Sequence, residues 1–211
     1  HPSAQAYVAR GEINHLLGNK DAAKADFERA LGLHPRDLVA LESLATLAEA
    51  AENYQAASGY VARILQVTPR DAAFLRVQIV LLGRLKKHRR VIETALVLES
   101  VDPRDAVGYY GRAFALQRLQ DYEASREPLA RLLELEPKNT SGLLLLSRAL
   151  AKVEDWSQVL KVCDRLLALG SPLNVKLLAE VKKTRARALD ALSRPPGPAP
   201  TPAPSSPKPG R

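Results

Sequence analysis

The sequence has no methionine, a single cysteine and few aromatic residues. Aromatics make up 5% of its 211 residues, so we expect a core built from Leu, Val and Ala. The lone Cys163 excludes a disulfide within the chain and a zinc site made of several cysteines. No stretch approaches the roughly 18 apolar residues that a membrane-spanning helix needs. Because the chain begins at His1, we expect a processed form or a fragment, and the compartment stays open between cytoplasm and periplasm or membrane surface.

Charge is spread unevenly along the chain. The net charge is +8, yet residues 1–70 carry −1 and residues 71–211 carry +9. A basic region indicates either an anionic partner or a merely well-solvated surface. The composition alone leaves both interpretations open.

Prolines recur at one fixed interval. A spacing of 34 residues separates Pro35, Pro69, Pro103 and Pro137, and Pro172 follows one residue late. A fixed period of this size indicates stacked supersecondary units. The chain therefore divides into five windows, which are 4–37, 38–71, 72–105, 106–139 and 140–173.

Each window has the pattern of two amphipathic helices. Apolar residues recur at three- and four-residue steps in both halves. Asp or Asn stands before eight of the ten expected helix starts, where its side chain can accept a backbone N–H. These expected N-caps are Asp37, Asp71, Asp105 and Asn139 for first helices and Asn19, Asn53, Asp121 and Asp155 for second helices. The sequence therefore predicts an all-α fold of helix pairs.

The columns of this alignment resemble the tetratricopeptide repeat family. The first window matches best, and the third, with Ile79 and Leu98 at positions where smaller residues are usual, matches least. The residues of the first window at family positions are Tyr7, Gly11, Ala23, Phe27, Ala30 and Pro35. The resemblance covers residues 4–173 and implies an α-solenoid, a right-handed superhelix of five helix–turn–helix repeats.

Three further segments flank the repeats. Residues 174–193 predict one more helix, with which the family usually caps its last repeat. Residues 194–211 are rich in Pro, Ala and Ser, so we expect a disordered or extended tail that is either a linker or a proline-rich ligand. Residues 1–3 include Pro2, one residue away from where a preceding repeat would end, and we expect that another repeat was cut away there.

The sequence offers no catalytic constellation. His1, His15, His34 and His88 lie far apart, and no paired-histidine metal motif or Gly-rich phosphate loop is present. Cys163 falls in a core column, where we expect a small buried hydrophobe rather than a nucleophile. We therefore expect a protein that is not an enzyme and has no cofactor and no metal.

The family resemblance implies that the first helix of each pair lines a concave groove. Its inward columns are acidic at the first end, through Glu12, Glu42 and Glu49, and apolar and basic at the second end. The residues predicted to bind a partner are Arg76, Val80, Tyr110, Phe114, Leu144 and Arg148; the same columns also place Gly111 and Gln117 in the groove. Such a surface suits an acidic and apolar peptide or helix. The alternative is that Phe114 and Leu144 simply pack between repeats.

One ligand known for this family does not fit the groove. Chaperone-binding members clamp a C-terminal carboxylate with Lys, Asn and Arg side chains. The matching positions here are Val8, Glu12, Ser43, Ala73 and Val77. None of these can hold a carboxylate, and Glu12 would repel it.

The turn between the helices of the third window is strongly basic. It contains Arg84, Lys86, Lys87, Arg89 and Arg90. Lys87 also stands where the other repeats have a capping side chain, at a cost of about 1 kcal/mol. This turn is either a solvated surface or a site for an anionic surface or acidic partner; nucleic acid is disfavoured because no aromatic lies in the run for base stacking.

Pro128 raises a separate question about the second helix of the fourth window. It either kinks that helix from within or lies close enough to its first turn to be tolerated.

Together these features predict a non-catalytic scaffold for protein–protein interaction in a bacterial multiprotein assembly. Two alternatives remain: an assembly factor or lipoprotein of a pilus or secretion system, and a regulatory domain of a larger enzyme. The oligomeric state is left open.

Overall fold

The computed structural model describes residues 2–170 and 175–194, and these residues form eleven α-helices and no strand. The helices pair as first and second members of five repeats, and α11 follows the last repeat. Their bounds are α1 (Ala4–Leu16), α2 (Lys20–Leu33), α3 (Leu38–Ala50), α4 (Tyr54–Val67), α5 (Ala72–Arg84), α6 (His88–Val101), α7 (Ala106–Arg118), α8 (Arg126–Leu135), α9 (Thr140–Lys152), α10 (Trp156–Ala168) and α11 (Val175–Ser193). The predicted all-α solenoid is confirmed.

Each helix packs against the next one along the chain, and first helices also contact one another across repeats. Thus α5 touches α7, α7 touches α9 and α9 touches α11. Since every repeat uses its neighbour to bury its apolar face, the core is a series of five clusters along the described stack. Pro172 and the tail 195–211 lie outside the described residues.

The core follows the columns of the repeat. The Phe27 column is almost wholly buried in all five repeats, and its other members are Val61, Ala95, Leu129 and Cys163. Cys163 is therefore a core residue, as predicted; its Sγ lies 3.5 Å from the Ser147 hydroxyl, and burial raises the pKa of the thiol. A buried, protonated thiol is inert as a nucleophile.

Most of the expected helix caps form. All four carboxylate or amide caps of the first helices accept a backbone N–H; for example, the Asp37 carboxylate accepts from Ala40 at 2.9 Å. Asn53 and Asp155 do the same for second helices. Asn19 is an exception, because it precedes α2 without a side-chain hydrogen bond, so the prediction for this cap is wrong. Lys87 likewise makes no cap, as predicted.

The fourth repeat resolves the question about Pro128. Its second helix begins only at Arg126, so Pro128 lies in the first turn, where a missing N–H is tolerated. Asp121 does not cap the helix itself; its carboxylate accepts the N–H of Ala124 at 3.1 Å, inside the turn that precedes the helix.

Every turn between the two helices of a repeat contains one residue in the left-handed conformation. The positions recur every 34 residues, with φ angles between 56° and 79°, at Gly18, Glu52, Lys86, Gln120 and Glu154. Four of the five are not glycine, although this conformation is strained for an L-residue with a side chain.

Candidate functional site

The six residues predicted at the second end of the groove occupy two columns on three neighbouring helices. Positions four apart on a helix share one face, and α5, α7 and α9 contact one another in order. One column contains Arg76, Tyr110 and Leu144, and the other contains Val80, Phe114 and Arg148. We call these six residues the groove array.

An aromatic pair lies at the centre of the groove array. The rings of Tyr110 and Phe114 stack with centroids 6.3 Å apart and planes inclined by 19°. Both side chains are half-buried and pack against a core cluster that includes Leu129 and Leu132. Val80, on the adjacent helix, is 51% exposed. The pair thus packs on the core while part of each ring stays accessible, and the neighbouring first helix carries an exposed apolar side chain.

Both arginines of the groove array have carboxylate partners within the chain. Arg76 pairs with Asp105, the N-cap of α7, and its guanidinium lies 3.7 Å from Asp102. Arg148 lies 3.7 Å from Glu180 on α11. All these pairs except that with Asp105 join partly exposed groups, whose ion pairs are weak in water. An acidic ligand would therefore exchange with existing partners rather than meet bare cations.

A cleft of about 330 Å³ continues the groove array between α9 and α11. Leu144, Arg148 and Ala151 line it from the repeat side, and Glu180, Thr184 and Arg187 line it from α11. Sequence reasoning did not assign any α11 residue to the groove. The apolar periodicity of α11 predicts that this helix packs against the last repeat. The periodicity does not predict the rotation of α11 that turns these polar side chains toward α9.

Two residues expected in the groove face a neighbouring helix instead. Gly111 is buried, and a Cβ at this position would lie 2.7 Å from Cγ2 of Ile79. Gln117 is buried too, and its side-chain amide donates to the backbone carbonyl of Leu145 at 2.7 Å. Residues at these two columns contact the adjacent first helix, because the first helices of neighbouring repeats lie close together here. The inward placement of these two residues is wrong.

At the other end of the stack, the acidic residues remain available. Glu12, Glu42 and Glu49 are exposed on α1 and α3. On the predicted groove face, exposed carboxylates at one end of the stack are thus followed by the apolar groove array, whose arginines are paired, at the other.

The basic turn is anchored by some of its cations and presents the others to solvent. The Arg84 guanidinium lies 5.7 Å from the centre of the Tyr54 ring, and Lys87 donates to the Gln55 carbonyl at 3.1 Å. Lys86, Arg89 and Arg90 are exposed, and none of them has a carboxylate partner among the described residues. His88 lies beside them, half-buried; burial, together with the charges of Arg118 and Lys86, lowers its pKa.

Within residues 2–170 and 175–194, no group of three or more His, Cys, Asp or Glu side chains could hold a metal ion. No helix in the same ranges combines the length and apolar character needed to cross a membrane.

The chain resembles several solved structures. The MamA protein shares 12% identity with a TM-score of 0.68, and the match covers 87% of this chain and 94% of that one. YrrB, described as a TPR protein with an unusual peptide-binding site, shares 14% identity at a TM-score of 0.67 over 91% and 93% of the two chains. A tetratricopeptide repeat protein from Parabacteroides merdae ATCC 43184 shares 14% identity at 0.67, over 90% of this chain and 73% of its own. At these identities the likeness concerns the fold.

No curated protein sequence matches the chain. The family model of the tetratricopeptide repeat matches residues 4–37, which are the first repeat. Residues 4–37 therefore match the tetratricopeptide repeat family, and the described chain has the fold of tetratricopeptide repeat proteins.

Proposed function

We propose that this protein is a non-catalytic scaffold that binds an apolar and acidic segment of a partner protein along the groove array, within a bacterial multiprotein assembly. The observation that carries the proposal is the Tyr110–Phe114 stack, which packs on the core, stays partly accessible and lies one first helix away from exposed Val80. Aromatic anchors that are already ordered lose little entropy on binding. That YrrB has a peptide-binding site adds general support, because it has the same fold.

The charges around the stack define the partner further. Arg76 and Arg148 stand at opposite ends of the groove array, each beside a carboxylate of this chain. A partner carboxylate placed near either one replaces an intramolecular ion pair with an intermolecular one. Such an exchange contributes specificity and register more than affinity. The apolar contact with the two rings therefore provides most of the binding free energy.

Affinity capture from a lysate of the source organism, followed by mass spectrometry, tests this proposal. The variant Tyr110→Ala/Phe114→Ala removes the ring pair, and Leu96→Ala/Val97→Ala removes exposed apolar surface from α6 as a matched control. Circular dichroism first establishes that both variants stay helical. We expect a partner captured by the unmodified chain to be lost with the first variant and kept with the second. Equal capture by all three proteins would overturn the groove assignment.

A second function rests on the basic turn, where Lys86, Arg89 and Arg90 are exposed and unpaired among the described residues. We propose that these cations hold the protein at an anionic surface. Co-sedimentation with phosphatidylserine vesicles should fall with rising salt and be lost in Arg89→Ala/Arg90→Ala, since surface charges are screened. Salt-independent sedimentation, or none, would exclude this role.

A further inference from the structure

Aromatic rings recur at the edge of the solenoid that carries the turns within repeats. Near the start of the second helix, four repeats have a ring at the same column, at Tyr54, His88, Tyr122 and Trp156. A cation from the next unit covers three of them: Arg84 lies 5.7 Å from the Tyr54 centroid, Lys152 lies 5.6 Å from Tyr122, and Arg187 lies 4.9 Å from Trp156. We call this series the ring ladder.

The ring ladder lacks its first rung. In the column of the rings, the first repeat has Lys20. In the column of the covering cations, where the third repeat has Arg84, the second repeat has Ala50. The side chains next to this position are also smaller in the second repeat: Ala48 and Ala51 stand where the third repeat has Leu82 and Leu85. The ring is therefore missing, and the wall against which it would pack is reduced.

A cavity of about 270 Å³ occupies the place of the missing ring. Leu44, Leu47, Ala48 and Tyr60 are among the apolar residues that line it, and Lys20, Asp21 and Lys24 stand around it on α2. We call it the first-junction cavity. Its volume is just below the roughly 300 Å³ at which pockets for whole small molecules begin. It is therefore suited to a single ring.

Lys20 has no evident structural reason to stand at this position. It is the first residue of α2, where a positive charge opposes the helix dipole. The preceding Asn19 makes no side-chain cap, so only the neighbouring Asp21 offsets this charge in the first turn. A residue that breaks the local rules of stability in this way points to a role in binding.

We propose that the first-junction cavity binds an aromatic side chain, Trp or Tyr, from an acidic segment of another protein. The later repeats supply the template, in which a ring fills this position beneath a cation. Here Lys20 and Lys24 offer the cationic cover, and they attract carboxylates next to the incoming ring. Lys24 is 3.9 Å from Glu28 in an exposed pair, so its charge remains available to a ligand.

The described residues hold no fully exposed Trp, Tyr or Phe ring that could fill the cavity. Residues 195–211 contain no aromatic residue. Each Trp, Tyr and Phe ring among the described residues is at least half-buried in its own repeat stack, so a second copy presents such rings only in part. A ring from a different protein is therefore the occupant that we propose. Since the cavity shares no residue with the groove array, this site can fail or succeed independently of the proposed function.

Nuclear magnetic resonance titration of the full ¹⁵N-labelled chain tests the site with two peptides. The probe is acetyl-Glu-Trp-Glu-amide, and the matched control is acetyl-Glu-Leu-Glu-amide. We expect the Trp peptide to shift the backbone amides of Ala48, Ala51 and Ala56 with a Kd on the order of 1 mM, typical of one small anchor. The Leu peptide should bind roughly tenfold more weakly.

Two variants separate the cavity from other surfaces. Lys20→Tyr/Ala50→Arg supplies the missing rung, and Ala48→Leu restores the wall found in the third repeat. Either change should raise the melting temperature and abolish the shifts caused by the Trp peptide. The second variant keeps the test decisive should the first one fold poorly. The proposal is overturned by the absence of shifts at about 10 mM peptide, by shifts confined to the groove array, or by an unchanged titration in a folded filled variant.

Discussion

At the residue scale, glycines on first helices set how closely neighbouring repeats approach. A Cβ on Gly111 would lie 2.7 Å from Cγ2 of Ile79. We expect Gly111→Ala to lower the free energy of unfolding by about 1–3 kcal/mol, because α5 and α7 must separate to relieve the overlap. Urea denaturation measures this change.

Gly59 provides the matched control. It lies inside α4, and a Cβ there would meet nothing within 4 Å. Gly59→Ala should therefore raise the free energy of unfolding by about 0.5–1 kcal/mol through helix propensity. The same sign of change in the two variants would contradict the close approach at Gly111.

His88 makes stability depend on pH. Burial, together with Arg118 and Lys86, lowers its pKa below the ordinary value of 6.5. As pH falls, the unfolded chain therefore protonates His88 before the folded chain does. The contribution of His88 to folding stability is complete above the pKa of the unfolded chain, and it is lost as pH falls through the pKa of the folded chain. We expect His88→Gln to lose less stability than the unmodified chain between about pH 7.5 and about pH 5.5.

Urea midpoints of the two proteins at both values check this prediction. An equal fall in the midpoints of both would mean that another group is responsible.

Single residues also show which features of the structure the sequence predicts and which it does not. The burial of Phe27 and Cys163 follows from the period alone, because a column fixes which side of a helix a residue occupies. The inward placement of Gln117 failed because its column faces a neighbouring helix whose distance the period does not encode. Likewise, the partners of Arg76 and Arg148 depend on rotamers and on packing across repeats.

At the element scale, the turn inside each repeat requires one left-handed residue. Gln120 has φ of 66°, whereas the matching Gly18 meets the same requirement without a side chain. We expect Gln120→Gly to raise the free energy of unfolding by about 1 kcal/mol, because the left-handed strain of a side-chain residue disappears. Thermal and urea unfolding measure it.

The reverse change completes the comparison. Gly18→Ala should destabilise the protein by about 1 kcal/mol, although nothing lies within 4 Å of the new Cβ. If Gly18→Ala left the free energy of unfolding unchanged, backbone strain at this column would not explain the stability differences.

The second helix of the fourth repeat shows a limit of prediction for whole elements. Asp121 matches the column of helix caps, so the period favours a helix from residue 122. The helix begins at Arg126 instead, since Pro128 is tolerated only in the first turn and residues 122–125 form a turn. Two local rules compete here, and the sequence does not state which prevails.

For the whole molecule, stacking of identical units made the architecture predictable. Each repeat can bury its apolar face only against the next one, so the interval of 34 residues implies the order of the helices. The ion pair of Arg112 with Glu99 then joins one repeat to the next, and Arg76 pairs with Asp105, which caps the first helix of the following repeat. The cleft beside α11 and the first-junction cavity depend on small deviations between repeats, and these emerge only in three dimensions.

The central claim is that the partner lies on the groove array rather than on the outer helices. Photo-crosslinking in lysate tests it most directly, with p-benzoyl-phenylalanine in place of Val80 or, as the control, of Leu96. The two side chains are 51% and 49% exposed, so both reagents are equally accessible. We predict a discrete crosslinked partner from position 80 that disappears with Tyr110→Ala/Phe114→Ala, and none from position 96. The same product from position 96, or none from position 80, would contradict the account.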